Sequence, residues 1–286
     1  MIKNLFIIIL FSVVLTIAAT AQRQSVIINF QAVVGEKIFD CKETYEQIGT
    51  TNSRVTISDF KFYLHNVRLI DKKGKETAVV LINDGKYQTE KVALLDFENG
   101  EGNCGNGTKE LNTTIRGTAA KGKYIGLKFN IGVPEEVNHL DPTLQPSPLN
   151  ITRMMWSWQM GYKFARIDTK TTGRPNGYVL HLGSTKCETD SAGKTRCGTE
   201  NRPEVSFEKF DFTKDAVKVD LKSLFAGANV DINQPQTSAG CMSFEGDSDC
   251  LPIFKNLGLS FEGSAVVKQT FMRVEKANKS NGKNAE

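Results

Sequence analysis

The chain has 286 residues, with 36 basic and 32 acidic side chains and a formal net charge of +4. That balance is weak and the basic residues are scattered, so nothing points to nucleic acid. The length allows one large β domain or two small ones, and beyond the N-terminal segment no apolar run could span a bilayer.

The chain opens on a targeting pattern. Lys3 is a short basic start, Leu5 to Ile17 is apolar apart from Ser12 and Thr16, and Ala19-Thr20-Ala21 is a cleavage signature. We read residues 1–21 as an export signal, with the mature chain starting at Gln22; an uncleaved anchor is the alternative, but the apolar run is short for a span. Gln24 to Val34 predicts a first strand. Val55 to Ile70 predicts one long strand or a strand with a bend, Asp71 to Gly74 a turn, and Ala78 to Ile82 its hairpin partner. Val92 to Phe97 is a short apolar run, followed by a glycine-rich loop over Gly100 to Thr108. Leu111 to Ala119 and Tyr124 to Val133 come next, the second alternating cleanly as a strand.

Pro134 to Asn150 is an irregular stretch with Pro134, Pro142, Pro146 and Pro148. It feeds a predicted strand over Met154 to Asp168, and Tyr178 to Leu182 predicts another. Gly183 to Pro203 reads as a loop, and Val205 to Phe212 with Ala216 to Leu221 as a hairpin. Ser223 to Gly227 fits one helical turn and Leu251 to Leu257 a short helix, with Leu259 to Val274 ending the domain. Lys276 to Glu286 is polar and reads as a disordered tail. Short strands, turn residues and no sustained helical period predict an all-β protein. The expected architecture is a single antiparallel β-sandwich domain over residues 22–275, with long disulfide-linked loops.

Six cysteines, Cys41, Cys104, Cys187, Cys197, Cys241 and Cys250, follow the export signal. An even count in an exported chain reads as disulfides. Local spacing favours Cys187–Cys197 and Cys241–Cys250, which leaves Cys41–Cys104. A thiolate metal site is the competing reading, but no C-x-x-C is present.

Both tryptophans fall in Met154 to Phe164 (MMWSWQMGYKF). On a continuous strand Trp156 and Trp158 share one face, with Met155 and Ser157 on the other. Core packing is the plain reading. A site is the sharper one, since indoles and thioethers are oxidisable and thioethers suit soft metals. The chain has three histidines, His65, His139 and His181. His65 shares parity with Tyr63 and Val67, and His181 with Val179, so each sits on a strand face where an imidazole needs a partner. With the cysteines used as disulfides, imidazoles beside a soft neighbour suit copper better than zinc. There is no G-x-S-x-G elbow, acid/base pair, phosphate loop or haem attachment motif.

Several ordered motifs occur together along the chain. They are DFKFYLHNVRLI (Asp59 to Ile70), VALLDFENGEGNC (Val92 to Cys104), GVPEEVNH (Gly132 to His139), PSPLNITRMMWSWQMGYKFARID (Pro146 to Asp168), HLGSTKC (His181 to Cys187) and CMSFEGDSDC (Cys241 to Cys250). In these the chain resembles the MbnP-like family, also called metallo-mystery pair or four-cysteine motif proteins. The resemblance implies a periplasmic or secreted copper-binding β-sandwich protein of a Gram-negative bacterium, working in copper homeostasis by binding and not by turnover. It also implies a di-haem partner of the MauG and cytochrome c peroxidase type, MbnH, which oxidises the first tryptophan of W-x-W, here Trp156, to kynurenine. Similar proteins hold copper with two histidines and that kynurenine. His65 and His181 are the candidates, His139 is a third, and Trp158 and Met155 are supporting residues, in a ligand set suited to Cu(I). The six cysteines exceed the family's four-cysteine name. The alternatives are an exported interaction or adhesion domain without metal and, last, a copper redox enzyme.

Overall fold

Runs of β-branched and aromatic residues form strands wherever glycine, proline and asparagine bracket them, and the strands assemble into two large sheets. The computed structural model describes residues 22–276 apart from Asn106, Trp158 and Pro175. The expected export signal, the position of Trp158 and the tail after Lys276 lie outside the described residues.

The first sheet runs Met272–Glu275, Ala216–Asp220, Arg23–Val34, Thr114–Ala120, Val80–Leu81. The second runs Glu204–Phe207, Tyr124–Ile131, Ser53–Asp71, Ala165–Thr171, Tyr178–Leu182, Gly240–Cys241. Phe30 meets Phe129 with ring centroids 5.8 Å apart, and Phe62 meets Phe271 at 6.1 Å, so the two sheets face each other across an aromatic core. The expected all-β sandwich is present and is mostly antiparallel. Two pairings are parallel: Arg23–Val34 with Ala216–Asp220, and Tyr178–Leu182 with Gly240–Cys241. Both join strands far apart in sequence, where a long connection replaces a hairpin.

Two expected hairpins are instead places where the chain changes sheet. Glu76–Ala78 pairs back onto Arg68 to Ile70, but Val80–Leu81 pairs with Thr118 and Gly117 of the other sheet. Glu204–Phe207 pairs with Tyr124–Ile131, whereas Ala216–Asp220 enters the first sheet. Alternation tells which face a residue takes but not which sheet its strand joins.

Ser53–Asp71 is the longest strand, 19 residues, and it carries Tyr45–Ile48, Glu76–Ala78 and Val92–Asp96 as further partners. Its register shifts between His65 and Arg68, where Asn66 takes a positive φ of 53°, so the strand with a bend is the form observed. Phe60 and Phe62 are fully buried and Phe62 reaches the other sheet's side of the core. Asp59, Lys61, Tyr63 and His65 therefore point the other way. The proline-rich connection folds over that second face. Tyr63 Oη donates to the Pro148 carbonyl at 2.7 Å, Tyr162 Oη donates to Leu149 at 2.6 Å, and the two rings meet edge to face at 5.9 Å.

The predicted strand over Met154 to Asp168 is broken into Met155–Ser157, Gly161–Tyr162 and Ala165–Thr171. The first two form a small ribbon of their own. Gly161 adopts φ +78°, a conformation favoured by glycine, with the Asn138 amide against its Cα, and this lets the chain double back. Strand alternation therefore does not decide where Trp156 points.

All three disulfides favoured by spacing are present: Cys41–Cys104, Cys187–Cys197 and Cys241–Cys250. The predicted loop around the second is an antiparallel ribbon, Thr185–Thr189 with Thr195–Thr199, separate from both large sheets. The short helices fall close to expectation, at Leu221–Leu224 and Cys250–Leu257. Among the described residues no helix is long and apolar enough to cross a membrane.

Candidate metal centre

The second face of the Ser53–Asp71 sheet is built from charge. Arg166 pairs across the strands with Lys61 on one side and His181 on the other, so all three share that face. Lys61 Nζ lies 2.9 Å from Glu98 and 3.8 Å from both Asp59 and Asp96. Arg166 bridges Asp59 at 3.1 Å and Asp168 at 2.6 Å. Burial, together with a hydrogen bond and repulsion from Glu98, pushes Asp59 up to about 9, so it holds a proton at neutral pH.

His181 closes this network. Its Nε2 lies 2.8 Å from Asp168 Oδ1. Burial would raise Asp168, but the hydrogen bonds and charges of His181 and Arg166 outweigh it and hold the carboxyl below its ordinary range. Burial also drives His181 below the usual histidine value, against the pull of Asp168, which favours the neutral ring. A carboxylate accepts only, so the neutral imidazole carries its proton on Nε2 and keeps its lone pair on Nδ1. Carboxylate-held imidazoles of this kind are the usual presentation of a metal-binding histidine.

Trp156 packs at the end of the strand that carries His181. A Cβ on Gly183 would overlap the benzo edge of the Trp156 indole at Cζ3 and Cη2, so the ring rests on the glycine backbone. Gly183 is two residues after His181 and shares its parity. Phe244 packs on the indole with centroids 5.8 Å apart. The other side of the half-buried Trp156 opens into a cavity of about 480 Å³, lined also by Met155, Thr152, Asp141 and His139. His139 sits at the end of the short helix Glu135–Asn138. Asn138 Oδ1 accepts from the Tyr162 amide at 3.0 Å, so its Nδ2 is the atom that faces His139 Nε2, also at 3.0 Å. Nε2 is therefore the acceptor nitrogen of His139.

His65 is elsewhere. On the Ser53–Asp71 strand the residue level with His181 is Lys61, across two strand spacings, and His65 is four residues further on. Standard strand geometry puts that at roughly 13 Å along the strands and about 10 Å across them. The expected pairing of His65 with His181 around Trp156 is thus not what the structure brings together. His65 opens into a different cavity, of about 410 Å³, with Glu90, Lys91, Pro134 and Glu136. Its Nε2 is buried with no hydrogen-bond partner among the described residues. Burial, with a lesser push from Arg202, lowers its titration from 6.5 to about 4.

A base lowered in the folded state withdraws stability as the unfolded chain takes up the proton first. Relative to a His65→Gln variant, the wild type should therefore lose stability as pH falls from about 6.5 to about 4, by up to about 3 kcal/mol. Urea unfolding of both proteins across that range checks this; a pH-independent difference would contradict it.

The chemistry of the donors around Trp156 fits a soft or borderline metal: a neutral imidazole with a free lone pair, a second imidazole and a thioether. An intact indole is a poor ligand. Asp168, Lys61 and Gly183 were not singled out in the sequence. The available signal was charge at alternate positions inside strands, Asp59 with Lys61 and Arg166 with Asp168, where side chains of one parity share a face.

Comparison with known proteins agrees with this architecture. The family model described as MbnP matches residues 23–243. A solved structure, MbnP from Methylosinus trichosporium, is similar with a TM-score of 0.79 and 27% sequence identity, covering 90% of this chain and 99% of that one. A search of curated proteins by sequence finds no match.

Proposed function

Because the chain belongs to the MbnP family, we propose that it is an exported copper-binding protein whose metal sits at Trp156 after that residue is oxidised to kynurenine. The observation that carries the reading is the placement of Trp156 over Gly183, two residues along the chain from His181, whose proton Asp168 holds on Nε2. Kynurenine offers an aromatic amine where the indole offered none. His181, through Nδ1, and His139, from the shared cavity, would be the imidazole donors. Met155 lines the same cavity as a thioether. This donor set would suit copper as Cu(I). The protein's own residues bind and orient the metal.

The oxidation needs a partner. A di-haem protein of the MbnH and MauG class, fed with peroxide, would insert two oxygen atoms into the indole and release water. Hydrolysis then frees formate and leaves the amine. The half-buried Trp156, open to a surface cavity, suits such a reaction by electron transfer from the ring. Export is supported by the apolar segment before Gln22 and by three disulfides.

The test is copper stoichiometry after co-production with a di-haem partner. Wild type should retain one copper through desalting, whereas Trp156→Phe should retain none. Equal retention by both would remove Trp156 from the site.

A further inference from the structure

The disulfide that the copper reading does not use stands against the imidazole that it does. Cys187 and Cys197 are directly opposed on the Thr185–Thr189 and Thr195–Thr199 ribbon. His139 Nε2 lies 3.2 Å from Cys197 Sγ, and all three donor atoms lie within 4.8 Å of one another. Nε2 is the unprotonated nitrogen, as the Asn138 amide that donates to it establishes, and a disulfide sulfur has no hydrogen to offer. The nitrogen that could ligate a metal thus already lies against the sulfur.

This disulfide also differs from the other two in access. Cys41, Cys104, Cys241 and Cys250 are 0–2% exposed, while Cys187 and Cys197 are both half-exposed. Cys187 opens into a cavity of about 500 Å³, with Met160, Gln159 and Phe244 in its wall. A reductant can reach this pair and not the others. The ribbon does not depend on the bond for its register: Thr185 pairs with Thr199, Glu188 with Arg196 and Thr189 with Thr195, and the last two join hydroxyls at 2.9 Å. Opening the bond would leave two thiols side by side next to an imidazole.

We propose that Cys187, Cys197 and His139 form a second, reduction-gated site for a soft metal ion, Cu(I). A dithiol reductant transfers two electrons and two protons to the disulfide and is itself oxidised to a disulfide. Metal binding then displaces both thiol protons, leaving two thiolates and one imidazole as ligands. Two thiolates with one imidazole make a soft donor set that suits Cu(I). Because His139 also lines the Trp156 cavity, the site borders the one proposed above, and the redox state of the ribbon would decide on which side of His139 copper is held.

The experiment uses Trp156→Phe protein, in which kynurenine cannot form, so that uptake reports on the ribbon alone and not on the copper reading above. The protein is treated with mild dithiothreitol, desalted without oxygen and titrated with Cu(I) against a chromogenic chelator. Alkylation and mass mapping follow the thiols. Cys187 and Cys197 should become alkylatable before the other four cysteines. The reduced protein should take up one Cu(I) with a thiolate-to-copper absorption band that the oxidised protein lacks. Cys187→Ser should lose that uptake while its circular dichroism shows the fold intact, and His139→Ala should weaken it on the order of tenfold or more. If reduced and oxidised protein bind Cu(I) equally, or if Cys187→Ser still binds it with the same band, there is no such site. Unchanged affinity in His139→Ala would strike the imidazole from it.

Discussion

Replacing His181 by alanine is expected to weaken copper binding by about 100-fold or more, with the fold retained. The imidazole has its proton fixed on the far atom by a half-buried carboxylate, 2.8 Å away. On the proposed ligand set, losing it removes one of two imidazole donors. The fold should survive because Asp168 keeps Arg166, 2.6 Å away, as its counter-ion. Asp168→Asn should have a smaller effect, roughly 10- to 100-fold, because it leaves the ring in place but no longer biases its tautomer or raises its basicity. His65→Gln should leave copper affinity unchanged, since His65 opens into a separate cavity from Trp156. Competition titration against a copper chelator ranks the three variants. An order in which His65→Gln is the worst would return the site to the other end of the sheet face.

Lys61→Met is expected to destabilise the protein by about 3–5 kcal/mol. Lys61 Nζ is the cation nearest to Glu98, at 2.9 Å, and it faces Asp59 and Asp96 at 3.8 Å, all of them buried. Asp59 already holds a proton, so the main loss falls on Glu98 and Asp96, which lose their ion pairs with Lys61. Burial already pushes Asp96 up to about 6 with Lys61 present, so removing the lysine raises it further. The deficit should therefore shrink as pH falls and Asp96 takes up a proton. A second substitution, Glu98→Gln, should restore part of the lost stability by removing one of the uncompensated charges. Urea unfolding at neutral and acidic pH measures both effects. A loss below about 1 kcal/mol would place Lys61 among ordinary surface pairs.

The strands were legible because each carries its own alternation or apolar run; Tyr124 to Val133 and Tyr178 to Leu182 fall within a residue or two of where their sequence puts them. The disulfides were legible because two of the three close short loops, leaving a single pair. What could not be read was long-range. Val80–Leu81 and Ala216–Asp220 change sheets, and no local pattern encodes the partner of a strand. The break after Ser157 was hidden because Gly161 is one glycine inside an otherwise aromatic run, and its need for φ +78° follows from Asn138, which is distant in sequence.

The site shows the same division. His181 and Trp156 stood out as residue types in unusual company, and in the structure the Trp156 indole rests on Gly183, two residues after His181. His65 was ranked with them on strand parity, which it does share, but parity says nothing about the offset along the sheet. Asp168, which orients His181, is contributed by the neighbouring strand, two register positions from Arg166 in the ladder where Asp168 pairs with Val179. Cross-strand pairing of this kind becomes visible only with the fold.

The most direct measurement is peptide mapping by mass spectrometry over Met154 to Lys163, on copper-containing protein isolated from its native host. The expected result is a mass increase at Trp156 equal to two oxygen atoms less one carbon monoxide, with copper in equal proportion to the modified chain. An unmodified Trp156 in fully copper-loaded protein would contradict a kynurenine-centred site.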